Sequence, residues 1–152
     1  MGRLARPLLT LLCVVLAVYG MVFADLAFRA RSAYLEGEKY MRWHRDPAEK
    51  KAFYEAAFQG EKARLEREKA AGRISEAECL QRLELERFRR DESIGESSLK
   101  YAYHWYKTAV ELFSPPETRW VRLSRARMSE AKELWKAELR GKKIPYEDYM
   151  LE

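Results

Sequence analysis

With 152 residues, 35% of them charged and only 7 Gly and 5 Pro, the chain is long enough for the core of one ordinary domain and too short for two. Ala, Glu, Arg, Lys and Leu dominate and alternating β-branched stretches are nearly absent, which argues against a sheet protein and predicts an all-helical one. Two of the 29 basic residues, Arg3 and Arg6, precede the first apolar run; the other 27 stand against 24 acidic residues, a mixed surface of +3 that argues against a dedicated nucleic-acid binder.

Residues 1–28 form the first predicted element, a signal anchor or a signal peptide. Behind the basic start, Pro7 to Ala24 is a run of eighteen residues without a charge, and Leu26–Phe28 continues it beyond Asp25. A helix needs about 20 apolar residues to cross the hydrocarbon layer, so residues 7–28 suffice for a transmembrane span. Val22-Phe23-Ala24, with Gly20 ahead of it, also suits cleavage after Ala24. From Ala27 to Trp43 the only weak helix breaker is Gly37, so an apolar helix running on as an amphipathic stalk is the preferred expectation. On either reading the basic start stays in the cytoplasm and the remainder is exported. A freely periplasmic or secreted protein is the alternative to a single-pass membrane protein.

Residues 29–141 are expected to form an extracytoplasmic helical domain, with 142–152 as a C-terminal tail. Four capping boxes place the helix starts: Asp46 with Glu49, Ser75 with Glu78, Ser93 with Glu96, and Ser114 with Glu117. Pro47 and Pro115 fall at first helical positions, Ile74 and Cys79 form a hydrophobic staple, and Gly72 and Gly141 stand where C-terminal glycines belong. Helices are therefore predicted near 47–71, 76–91, 94–113 and 115–140, with short connections that favour antiparallel hairpins. The highly charged 61–92 region is expected to be an exposed hairpin arm. In the tail, Ile144, Tyr146, Tyr149, Met150 and Leu151 are available to dock on the last helix.

The 94–113 helix is dense in aromatics. Leu99, Ala102, Tyr103, Tyr106, Ala109, Val110 and Phe113 follow helical spacing in one stripe, and Tyr101, Trp105, Thr108 and Leu112 form a second. Two apolar stripes predict a central layer packed between neighbours. Ala102, Tyr106, Ala109 and Leu112, with a proline following, resemble the second helix of a tetratricopeptide repeat. Trp120, Leu123 and Ser124 are similar to the opening of that family's next helix, although Arg127 stands where the family prefers Tyr. Ala30-Tyr34-Gly37-Tyr40 is an earlier echo. The resemblance covers about residues 99–128 and implies hairpin packing and a role in binding a protein or peptide.

No chemistry stands out beside this. Cys13 and Cys79 make no metal or redox motif, and the two histidines, His44 and His104, have no carboxylate at ligand spacing. With no nucleophile context and no phosphate loop, the chain is not expected to be an enzyme or to need a cofactor or metal. Arg119, Arg122, Arg125 and Arg127 concentrate charge around Trp120; in an exported protein the matching anions are phospholipid headgroups or an acidic protein. The expected function is that of a membrane-anchored binding or scaffold module, with Trp105, Arg119 and Arg122 as the contacts for a protein partner. An exported enzyme or ligand carrier is the third alternative.

Overall fold

The computed structural model describes residues 5–151, so the basic start at Arg3 lies outside it. It is all-helical: α1 (Ala5–Arg45), α2 (Pro47–Ala70), α3 (Glu76–Gly95), α4 (Ser98–Leu112) and α5 (Arg119–Gly141), then a 3₁₀ turn at Asp148–Leu151. No strand occurs among the described residues. The chain divides into two compact units, one from the residues up to Tyr40 with those from Leu99 onwards, the other Met41–Ser98.

In the Met41–Ser98 unit, α1 gives way to α2 where expected. The Asp46 carboxylate accepts from the Ala48 and Glu49 amides (3.0 and 3.4 Å) and Pro47 opens the new helix. The reciprocal half of the capping box is absent, because the Asp46 N–H still donates to the Arg42 carbonyl. At the other end of α2, Gly72 takes φ +68°, its N–H donates to Lys69 and that of Arg73 to Glu68. This is the left-handed exit that a glycine permits without strain. Ser75 then caps α3 by accepting from Glu78 N, with Cys79 buried one turn in. Between residues 61 and 92 only Leu65 and Cys79 are buried, so this region is the exposed hairpin arm that its charge pattern suggests.

The expected break at Ser93 does not occur. α3 continues through Ser93 to Gly95, and α4 begins at Ser98. The reason lies on α2: the buried Lys50 donates through Nζ to the carbonyls of Ile94 (3.1 Å) and Glu96 (2.6 Å), supplying donors to the end of α3. Lys50→Met keeps the apolar stem and removes these donors. It is expected to cost about 1.5–3 kcal/mol, the scale of hydrogen bonds from charged groups, and to speed amide exchange in the last turn of α3. Unchanged exchange there would show that the lysine does not hold this end.

In the other unit, α1 presents Ala30, Ala33 and Gly37 as a stripe of small buried residues. Five residues of the first stripe, Leu99, Ala102, Tyr103, Tyr106 and Ala109, are buried as the spacing predicts, while Val110 is half-buried and Phe113, also half-buried, lies just past the end of α4. Val121, Ser124, Ala131 and Trp135 supply the buried face of α5. The second stripe of α4 is not core. Trp105 and Leu112 are exposed and Tyr101 and Thr108 half-buried, so α4 carries one packed face rather than forming a central layer.

Two expected boundaries of α5 also move. Ser114 does not cap a helix at Pro115; Thr118 does, its hydroxyl accepting from Val121 N, and α5 starts at Arg119. The residue before a proline is biased away from helical geometry, and Pro116 applies this to Pro115 as Pro115 does to Ser114. At its C-terminus Gly141 is the last helical residue, and Lys143 takes the left-handed conformation (φ 55°). The Lys143 and Ile144 amides donate back to Arg140 and Leu139. A side chain at that φ is strained, so Lys143→Gly is expected to raise stability by about 0.5–1 kcal/mol, read as a higher Tm. A lower Tm would contradict this. Of the tail's apolar residues Leu151 alone is buried, while Ile144, Tyr149 and Met150 stay exposed. The tail is also tied by Asp148 to Lys136 (2.8 Å), a contact that lowers the carboxyl's pKa and raises the amine's.

Candidate functional site

The first feature is the outer half of α1. Every large apolar side chain from Leu8 to Phe23 is exposed, from 45% to 68%, although the helix continues without a break across Ala24 and Asp25. An exposed apolar surface of this extent near the N-terminus is what a membrane span or a signal sequence presents. It is the one helix among the described residues long and apolar enough to cross a membrane. At 1.5 Å per residue, Leu8 to Phe28 spans about 30 Å, the thickness of the hydrocarbon layer.

The second feature is a groove on α4. Tyr40 stacks on Tyr101 with ring centroids 5.1 Å apart and planes at 22°. Trp105, His104 and Thr108 complete a shallow groove of about 240 Å³. Trp105 is 36% exposed, enough to leave part of the indole at the surface. His104 lies edge-on to Trp135 at 5.8 Å. Burial, then the charges of Lys100 and Lys107, hold its pKa below the ordinary 6.5, so the groove carries a neutral imidazole at pH 7.

The third feature is the start of α5. The Arg119 and Arg31 guanidiniums lie over the Trp120 ring at 5.5 and 5.7 Å, and Trp120 packs on Tyr34 at 5.6 Å. Arg119 and Arg122 are both exposed. Of the three residues singled out in the sequence, Trp105 thus lines the α4 groove, whereas Arg119 and Arg122 belong to the arginine-rich start of α5 and are not part of that groove's lining. Arg125 pairs with Glu117.

Sequence reasoning missed the polar tie beneath these surfaces. The fully buried Tyr106 donates its hydroxyl to Glu38 Oε1 (2.7 Å), the same carboxylate meets Arg127 Nε (3.1 Å), and Arg127 reaches Glu130 (2.7 Å). α1, α4 and α5 each contribute a member. Burial first, then the Glu38 hydrogen bond, pushes the Tyr106 hydroxyl far above the ordinary tyrosine range. Glu130, then Glu38, holds Arg127 charged. A glycine at 37 inside a helix, seven and four residues after Ala30 and Ala33, was the available signal for a close helix contact beside Glu38.

Among the described residues no group of three His, Cys, Asp or Glu side chains converges on a common point, and both cysteines are free. A cleft of about 120 Å³ between α2 and α3 is bridged by Arg90, which lies over Phe58 at 4.8 Å and pairs with Glu55 at 3.1 Å. Comparison with protein-family models, curated proteins and solved structures finds no match to this chain.

Proposed function

We propose that the chain is a membrane-anchored helical protein that binds a protein partner close to the bilayer, without catalysis. The observation that carries this is the uncovered apolar helix from Leu8 to Phe23 running straight into a packed helical unit. A helix unbroken at Ala24 supports an anchor over cleavage there, since a scissile segment must be extended. The partner contact falls on the α4 groove: Trp105 beside stacked Tyr40 and Tyr101 gives a rigid aromatic surface, the kind that dominates protein recognition. Tetratricopeptide-like hairpin packing through the opposite face of α4, at Ala102, Tyr106 and Ala109, is part of the same proposal.

A photoreactive side chain at Trp105 in native membranes, compared with one at Phe88 on the hairpin arm, tests this. A protein adduct from position 105 only is the expected result. Trp105→Ala should weaken partner retention about tenfold or more, the cost of truncating an interfacial aromatic. Adducts to lipid alone, or equal retention by Trp105→Ala and wild type, would remove the partner-binding role.

On orientation, the basic start supports a cytoplasmic N-terminus with the helical units outside. One observation favours the reverse: Arg29, Arg31, Lys39 and Arg42 follow the span, against Arg3 and Arg6 before it. Glu130→Cys, tested with an impermeant maleimide on intact cells, separates the two; labelling places α5 outside, protection places it in the cytoplasm.

A further inference from the structure

The α4–α5 connection descends along α1 to the end of the apolar run. Pro115 and Pro116 face Tyr19, Val22, Phe23 and Leu26 across an apolar cleft of about 240 Å³. Three of those α1 residues belong to the exposed apolar band, so the cleft is continuous with the surface that would meet lipid. In a helix that spans from Leu8 to Phe28 they lie in the outer part of the hydrocarbon layer, on the side that leads to the headgroups.

Just above this level the charge is basic. The guanidiniums of Arg31 and Arg119 both lie over Trp120, and Arg31 follows Phe28 by three residues, about 4.5 Å along the helix. That is within reach of a headgroup phosphate for a long side chain that bends toward the interface. The acidic residues nearby are already engaged: Asp25 pairs with Arg29 at 2.8 Å, and Glu117 with Arg125. An indole in contact with two guanidiniums also suits the membrane interface, where Trp is enriched.

We propose that this cleft is a binding site for an anionic phospholipid, resting on the membrane-span reading above. An acyl chain lies between α1 and the Pro115–Pro116 turn, and the headgroup phosphate is met by Arg31 and Arg119. The turn then fixes the unit's height on the bilayer, so that the Trp105 groove is held at a set distance from the surface. The apolar lining excludes a polar ligand. Charge complementarity selects an anionic headgroup over a zwitterionic one, each arginine near the surface giving about fivefold in affinity.

The test uses the full chain in phosphatidylcholine vesicles with and without phosphatidylglycerol. Nitroxide labels are placed singly by Val15→Cys, Glu117→Cys and Glu130→Cys in a Cys13→Ser/Cys79→Ala background. Accessibility to oxygen and to an aqueous nickel chelate should put the Val15 label in the hydrocarbon, the Glu117 label at the interface and the Glu130 label in water. Spin-labelled phosphatidylglycerol should associate more tightly than spin-labelled phosphatidylcholine, and Arg31→Gln/Arg119→Gln should reduce that preference about tenfold or more. A Glu117 label as wet as Glu130, with Val15 still in hydrocarbon, overturns the lipid site and leaves the anchor standing. A wet Val15 overturns both. An unchanged headgroup preference in the double variant overturns the arginine assignment.

Discussion

Gly37→Ala is expected to destabilise the unit built from α1, α4 and α5 by about 2 kcal/mol. In helix propensity alone the change is favourable, by about 1 kcal/mol. Sterics decide against it. A Cβ at position 37 would stand 2.4 Å from Tyr106 Cε1, 2.7 Å from Cδ1 and 2.8 Å from Cζ. The ring cannot swing aside, because Tyr106 is fully buried and its hydroxyl is tied to Glu38. Overpacking of this kind costs about 1–3 kcal/mol, and with direct ring overlap the upper end applies. For a chain of this size the net loss lowers Tm by about 4–8 °C. Tyr106→Leu removes the ring, and in that background Gly37→Ala should become neutral or favourable. If Gly37→Ala raised Tm with Tyr106 in place, the close approach of α1 and α4 would be wrong.

This contact also shows how far the sequence could be read. The buried stripe of α4 was legible because five residues at helical spacing face one way, and periodicity reports burial directly. The second stripe was equally periodic yet remained exposed, since an apolar face says only that it can be covered. The starts of α2 and α3 were legible because Asp46 and Ser75 have local partners within one turn. The Ser93 and Ser114 boundaries were not, and each failed for a different reason. At Ser93 a lysine 43 residues earlier in the chain supports the carbonyls that end α3, a tertiary effect that no window contains. At Ser114 the signal was local: consecutive prolines oppose helical geometry in the residues before them, and that outweighs the cap. Trp105 was legible as a surface aromatic on α4, while its neighbour Tyr40 comes from α1 and could not be placed beside it by spacing. The cleft at Pro115 and Pro116 likewise depends on how the connection folds back along α1.

Glu38→Ala should cost about 2–3 kcal/mol, more than either Tyr106→Phe or Glu38→Gln at about 1 kcal/mol each. The ordering follows from what each change leaves behind. Tyr106→Phe removes the donor and leaves Glu38 bonded to Arg127, which is partly solvated, so no buried polar group is orphaned. Glu38→Gln keeps an acceptor for the phenol and loses only the charge facing Arg127. Glu38→Ala strands a buried hydroxyl, and an unmet buried donor costs more than a net hydrogen bond contributes. Alkaline pH provides an independent check. The unfolded chain releases the Tyr106 proton near the ordinary value of 10.0, whereas the folded unit retains it far above that pH. Between those limits the unfolded state binds fewer protons, so stability falls as pH rises, by up to about 1.4 kcal/mol per pH unit. Below pH 10 this contribution is fully present. Chemical unfolding at a series of pH values above 10 should therefore show a steeper loss for wild type than for Tyr106→Phe, which has no proton to release. Parallel slopes would mean that the phenol is not sealed between α1 and α4, and with it the bond that joins them to Arg127 of α5.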